Sequence, residues 1–421
     1  MEGDIPVGTV CRDRTTGSVP PRLGRGDRRC QRDWLRRDGG SATFLRVPYT
    51  GGSRRDALTK RVAVIGAAGF WGAFYMRAFA SDPRCEIVAV ADTASDRLRQ
   101  VAEHYGVERR FASTQELLGS VLPDIAAVVL PVRHTPGAVT ACAAAGVPVV
   151  GCEKPISASL ADADRTVAYC RERRVSLSCG TALWEIPRLE SICRWLRDGN
   201  LGELREASLP SGFNNQISGN GCVPLCWLRF LAGREAEWVE GWTTPPEAAI
   251  GDGDCNAYGR IGLPGGAVCH VPSPAEATTQ AEGVALTMTR GRAWIARQGV
   301  AFVQGSGPTA GLVFPDFLGE PASDSFHGLL DSLIALCDQG GEAPCSGHDY
   351  RQALEIAIAF KLSAAEGHRR VTLPLEDRSL VLNPVPYRME GGDVAGWDSI
   401  GLTPPRILPD TPNTRRAKGT G

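Results

Sequence analysis

Apolar and polar positions along the chain fall into two regimes. From Arg61 to Gly151, short apolar runs alternate with stretches of helical period: Val62–Ile65, a helix from Phe70, Ile87–Ala91, a helix through Leu98 to His104, Ile125–Leu130, a helix through Val139 to Ala145, then Val147–Gly151. Alternation of this kind builds a parallel sheet with helices on both faces. Ile125–Leu130 and Val147–Gly151 are apolar on both of their faces, as strands buried in a parallel sheet should be. A helix over Ala161–Arg173 and a strand over Val175–Cys179 complete the layer.

Beyond Leu201 the segments lengthen, alternate apolar with polar, and are broken by glycine and proline. Ala257–Leu263 and Ala267–Val271 flank Pro264-Gly265-Gly266, and Val284–Thr289 and Ala293–Ala296 flank Arg290-Gly291-Arg292; both read as hairpins. An open, mainly antiparallel sheet follows from this, with helices over Phe326–Cys337 and Tyr350–Glu366 and a last strand over Arg370–Leu373. The fold class is α/β: a doubly wound parallel sheet over 60–182, then a second α/β domain over 183–385. The ends lack apolar periodicity and cannot bury enough surface to offset ordering entropy, so 1–59 is expected to be a disordered extension and 386–421 a loose tail.

Composition narrows the partner. The 421 residues suit two domains, and a formal net charge of −1 gives no overall pull toward nucleic acid or an anionic membrane. A small-molecule substrate is the expectation. The 14 cysteines are scattered through predicted core elements, as at Cys142, Cys152, Cys170 and Cys193, and read as small buried hydrophobes. With no C-x-x-C pair, and no histidines beside Cys222 and Cys226, no metal site is expected. No apolar run is long enough to span a bilayer and no signal-peptide core follows Met1, so a cytoplasmic location is expected. The Arg-rich start is broken by Glu2, Asp4, Asp13 and Asp27, against the acid-poor character of a transit peptide, and a misassigned start codon fits it equally well.

The most specific chemistry lies at Arg61–Gly72, R-V-A-V-I-G-A-A-G-F-W-G, where an apolar strand runs into three glycines and a helix. A pyrophosphate approaches backbone closely only where side chains are absent and the N–H groups of a helix start face it. Gly66, Gly69 and Gly72 meet that need, with Phe70 and Trp71 between the last two, although the spacing is one residue longer than G-x-G-x-x-G. The next strand ends on Asp92, placed to bond both hydroxyls of an adenosine ribose, which favours NAD over NADP. Arg97 and Arg99 keep NADP open, because either can meet a 2′-phosphate.

At Cys152-Glu153-Lys154-Pro155, after a helix ending A-A-A-G-V-P, the chain resembles the Gfo/Idh/MocA family of dinucleotide-dependent oxidoreductases. The resemblance continues through Leu183-Trp184-Glu185-Ile186-Pro187, through Leu196 to Glu203, and from Asp349 to Leu373. It implies hydride transfer between a nicotinamide and a carbonyl, imine or alcohol carbon of a small metabolite. Lys154 would stand beside the ring as proton donor or acceptor, Pro131 would shape the cofactor's other side, and Glu153 would bind cofactor or backbone. It also implies a second domain whose sheet packs on another subunit, in a homodimer or homotetramer.

The family's Asp and His, four residues apart, complete a proton relay with the lysine in sugar-oxidising members. Here Gly219 and Val223 occupy those positions, and Trp184 stands where many relatives carry arginine. With Cys222 and Cys226 these suggest a substrate more apolar than a free sugar, with Asn214, Asn215, Gln216 and Asn220 as candidate hydrogen-bonding groups and His134 as a neighbour of the nicotinamide ribose. Two other readings stay open at this point: a catalytically silent dinucleotide-binding sensor or scaffold, and NAD-assisted elimination or glycoside cleavage.

Overall fold

The computed structural model describes residues 59–180, 186–210, 216–273, 283–320 and 326–397. The first regime folds as its pattern requires. Strands β1 (Lys60–Ile65), β2 (Cys85–Ala91), β3 (Arg110–Phe111), β4 (Ile125–Val128), β5 (Val149–Cys152) and β6 (Ser176–Ser178) alternate with helices α1 (Phe70–Ser81), α2 (Ser95–Tyr105), α3 (Thr114–Ser120), α4 (Thr135–Ala145) and α5 (Leu160–Glu172). All strand pairs are parallel, in the order β3-β2-β1-β4-β5-β6. Val62 to Ile65 and Ile125 to Val128 are buried on both faces, which explains their unbroken apolar runs. The strand order reverses between β1 and β4, and there the connections leave on opposite faces and open a crevice at the carboxyl ends of the strands.

The second regime comprises α6 (Leu189–Arg197), β7 (Leu204–Ser208), α7 (Cys222–Ala232), β8 (Trp238–Thr244), β9 (Asn256–Gly262), β10 (Val268–Val271), β11 (Gly283–Met288), β12 (Gly291–Ala296), β13 (Gly299–Gln304), β14 (Gly311–Val313), α8 (His327–Gln339), α9 (Gly347–Ala365) and β15 (Val371–Thr372). Its nine strands run in the order β14-β13-β12-β11-β7-β10-β9-β8-β15. All pair antiparallel except β7 with β10. Helices α7 and α9 pack together, with α9 against β8 and α7 against β11. Along β12 the alternation is direct: Ala293 and Ile295 are buried, whereas Trp294 between them is 41% exposed on the other face.

Two elements sit where the sequence did not place them. Helix α8, read as part of the second domain, packs against the parallel sheet instead: Leu329, Leu330 and Leu333 share a core with Val62, Val64 and Ile125. A Cβ at Gly180 would collide with Leu329, and Lys60 and Arg84 pair with Asp338 at 2.5 Å and Asp331 at 2.6 Å. Residues 386–397, expected in a loose tail, form two short helices, α10 (Pro386–Glu390) and α11 (Gly392–Ala395), held by main-chain hydrogen bonds rather than by an apolar face. Of the twelve described cysteines all but Cys337 are buried, and burial pushes thiols such as Cys142 and Cys170 up to about 12, as expected of inert packing residues. Among the described residues no helix is long and apolar enough to cross a membrane.

Candidate active site

After β1 the backbone turns through Gly66 at φ 88°, where a Cβ would collide with the Val129 carbonyl oxygen; a Cβ at Gly72 would collide with the Gly66 carbonyl. These two glycines are demanded by the turn and by the packing of α1 on it. Gly69 is different. A Cβ there would meet nothing nearer than the Gly66 oxygen at 3.5 Å, so packing within the fold does not require its bareness. The extra residue in the glycine spacing is taken up by Ala67 and Ala68, both fully buried, with Ala68 N–H donating to Asp92 Oδ2 at 2.9 Å. Asp92 Oδ1 accepts from Ala94 N at 2.9 Å, so the carboxylate ties the turn to the end of β2 while one side still faces the crevice. Gly69 is also the N-cap of α1, with no side-chain cap and no acid in the first turn, which leaves the helix start open to an anion.

The crevice holds a cavity of about 540 Å³, within the usual range for a ligand site. Its wall brings together Gly66, Gly69, Phe70, Trp71, Gly72, Asp92, Pro131, Glu153, Lys154 and His134. A bare turn, an open helix start and a carboxylate at the far end fit a dinucleotide. Trp184 and Asn215 lie outside the described residues.

At the opposite end, Lys154 Nζ donates to the Gly219 carbonyl at 3.2 Å and to Asn220 Oδ1 at 3.4 Å. The same Asn220 oxygen accepts from Arg388 Nη2 at 2.5 Å, and Arg388 Nε donates to Gln216 Oε1 at 2.7 Å. Asp254 holds this turn in place. Its carboxylate accepts from the backbone N–H groups of Ser218, Gly219 and Cys255 and from the Ser218 hydroxyl, while burial outweighs those bonds and raises its pKa. Behind the lysine, Glu153 is 6% exposed and accepts from Tyr75 Oη at 2.7 Å and from Lys154 N at 3.3 Å. Burial pushes the Glu153 carboxyl above the usual carboxylate range against the opposing charge of Lys154, and pushes the Tyr75 hydroxyl well up.

The family model for the NAD-binding Rossmann fold of the Gfo/Idh/MocA oxidoreductases matches residues 60–181. The nucleotide-binding domain belongs to this family. D-Apiose dehydrogenase of Paraburkholderia graminis is 31% identical over 140 residues, which are 33% of this chain and 37% of that protein. The chain thus matches little more than a third of the length of such a relative. An uncharacterised oxidoreductase of Bacillus subtilis, YrbE, is 26% identical over 74% of this chain and 96% of its own length. The crystal structure of aldose-aldose oxidoreductase from Caulobacter crescentus superposes with a TM-score of 0.62 at 21% identity, covering 75% of this chain and 100% of that one, a likeness of fold across both domains.

Against the relay pattern of Gfo/Idh/MocA sugar dehydrogenases, two positions come out differently from the sequence reading. Val223 does not line the cavity: it is 2% exposed within α7 and packs in the core, as do Cys222 and Cys226. Among the described residues Cys222, Val223 and Cys226 therefore do not form the expected apolar substrate wall, because they are packed into the core. At Gly219, a Cβ would lie 2.5 Å from Gln216 Oε1 and 2.9 Å from Arg388 Nε, so the guanidinium of Arg388 fills the space an acid would take.

Arg388 and its segment were not legible as site residues. They form a strap along the crevice: Val132 N donates to Arg388 O at 2.8 Å, Arg133 N to Met389 O at 3.3 Å, and Arg133 pairs with Glu390. Farther on, a Cβ at Gly391 would press on Pro131, and Asp393 pairs with Arg97 and accepts from Trp397 Nε1 at 3.1 Å. Arg97 also donates to Ala68 O at 3.3 Å, so it lies across the glycine turn rather than swinging free toward a 2′-phosphate.

Proposed function

We propose that the protein is an NAD-dependent oxidoreductase of a small metabolite, with Lys154 moving the proton at the reacting oxygen. The supporting observation is the placement of Lys154 in one cavity wall with the bare Gly69 turn and Asp92. Gly69 and the start of α1 would hold the pyrophosphate, Asp92 the adenosine ribose, and Pro131 with Lys154 the nicotinamide end. When bound, the nicotinamide supplies the hydride donor or acceptor. Lys154 is oriented by the Gly219 carbonyl and Asn220. It gives its proton to the substrate oxygen on reduction and takes it back on oxidation, a contribution typically worth ~10²–10⁴ in rate.

NAD is the cofactor this wall favours over NADP. A 2′-phosphate beside Asp92 meets a carboxylate, and the arginine nearest to it is engaged by Asp393. The open face of the nine-stranded sheet, where Trp294 is exposed, supports self-association. The experiment for the main reading is tryptophan-fluorescence titration with NAD and NADP, followed by nicotinamide absorbance with a panel of carbonyl and hydroxyl compounds. Tight NAD binding with turnover that Lys154→Ala removes supports the assignment; turnover unchanged in Lys154→Ala ends it.

A further inference from the structure

Three arginines stand in the cavity wall, and their partners differ. Arg97 is paired with Asp393 and Arg133 with Glu390, whereas the hydrogen bonds that the Arg388 guanidinium makes among the described residues go to the neutral side-chain amides of Gln216 and Asn220, with the Glu153 carboxylate near enough to feel its charge. The acids of the wall are equally accounted for. Asp92 is bound to two backbone N–H groups, Glu390 and Asp393 to their arginines, and Glu153 to Tyr75 and Lys154 N behind the lysine. Arg388 nevertheless shares one acceptor oxygen, Asn220 Oδ1, with the ammonium of Lys154. Two cations held this close repel one another in a half-buried cleft, and the one carboxylate among the described residues that faces them both, Glu153, leaves an excess of positive charge for an anion to meet.

Arg388 is placed rather than loose. Its carbonyl accepts from Val132 N, and Nε and Nη2 are fixed on Gln216 and Asn220, so among the described residues Nη1 is left without a protein acceptor. A planar guanidinium presenting free N–H groups beside a second cation is the usual geometry for a carboxylate.

We propose that Arg388 binds the carboxylate of the substrate while Lys154 faces the reacting oxygen, so that the substrate is a hydroxy or oxo acid with its carboxylate next to the reacting carbon. This inference rests on the proposed oxidoreductase reading and gives its substrate class. Gly219 then has a positive role: the missing acid makes room for Arg388, and an aspartate there would neutralise the guanidinium.

The test compares matched pairs that differ only in the acid: L-lactate against propane-1,2-diol and D-gluconate against D-glucitol. Binding is measured by calorimetry at low salt, with and without saturating NAD, to the parent protein and to Arg388→Gln and Arg388→Lys, whose melting curves report folding. The parent is expected to bind at least one acid about tenfold or more tighter than its neutral partner. Arg388→Gln is expected to lose that preference with NAD affinity unchanged, and Arg388→Lys to keep part of it.

Equal affinity within both pairs overturns the proposal. So does a preference that survives in Arg388→Gln, or uptake of neither acid by the parent, since two cations in one cleft hold a small carboxylate weakly even on the wrong carbon skeleton. If Arg388→Gln instead weakens NAD and leaves the acid preference intact, the guanidinium serves the cofactor and the proposal falls. NAD binding without acid preference sinks only the substrate class; acid preference without NAD binding sinks only the oxidoreductase reading.

Discussion

The two ends of the crevice are built on different principles. The nucleotide end is almost contiguous in sequence: Gly66, Gly69, Gly72 and Asp92 belong to one strand–turn–helix–strand unit, in which Gly72 and Asp92 are fixed by the turn's own main chain and Gly66 by the Val129 carbonyl after β4. The Lys154 end is assembled from three distant segments, Lys154 after β5, the turn 216–221 before α7, and Arg388 in α10, joined through Asn220. A local unit tolerates no substitution where its backbone closes on itself, and an assembled one can exchange its chemistry one side chain at a time. This chain shows both: an intact glycine turn, and an arginine from a distant segment beside the bare Gly219.

The contrast is sharpest at the glycines. Gly66→Val places a side chain onto the Val129 carbonyl at a left-handed φ and is expected to cost about 4 kcal/mol or more, reported as loss of the cooperative melting transition. Gly69→Val, three residues on, is expected to leave melting nearly unchanged while abolishing NAD binding. If both variants melt alike, the division of labour between the glycines is wrong.

At the assembled end, Lys154→Met is expected to lower kcat by ~10²–10⁴ with the Kd for NAD unchanged within about twofold. A comparable fall in NAD affinity would mean that the two ends are not separable. A smaller effect concerns Glu153. Burial raises its folded-state pKa above the ordinary carboxylate value, so its contribution to stability is complete below about pH 4 and is lost as pH rises through the raised value. Unfolding free energy measured against pH should therefore fall for the parent relative to Glu153→Gln as pH rises from about 4. A difference that is flat or grows with pH contradicts the buried placement. Smallest of all is Asp393→Asn, which breaks a partly exposed ion pair worth up to about 1 kcal/mol. It should change melting little and raise use of NADP relative to NAD a few-fold by releasing Arg97, as steady-state kinetics with both cofactors would show.

The same division governs how much could be read in advance. The parallel sheet was legible because β1, β4 and β5 are buried on both faces and carry that fact in continuous apolar runs, and the glycine turn because its three glycines lie within a few residues of one another. Lys154, which stands in the cavity wall, was singled out only by the motif around it. Helix α8 was predicted as a helix but assigned to the wrong sheet, since an apolar stripe of Leu329, Leu330 and Leu333 says that something is buried without saying against what. Val223 was read as facing a ligand, and in the structure it faces the core, one turn of α7 being enough to reverse the reading. Arg388 carried no local signal. Its meaning comes from the vacancy at Gly219 and from Asn220, and both became visible only once the chain had returned across the crevice.

The central claim is that one crevice holds a dinucleotide over Gly69 with its nicotinamide end at Lys154. A crystal structure at saturating NAD tests it directly. The account predicts pyrophosphate density over the Gly69 and Phe70 N–H groups, ribose hydroxyls at Asp92 and the nicotinamide ring beside Lys154 Nζ. A ring bound elsewhere, or a glycine turn left empty at saturation, contradicts it.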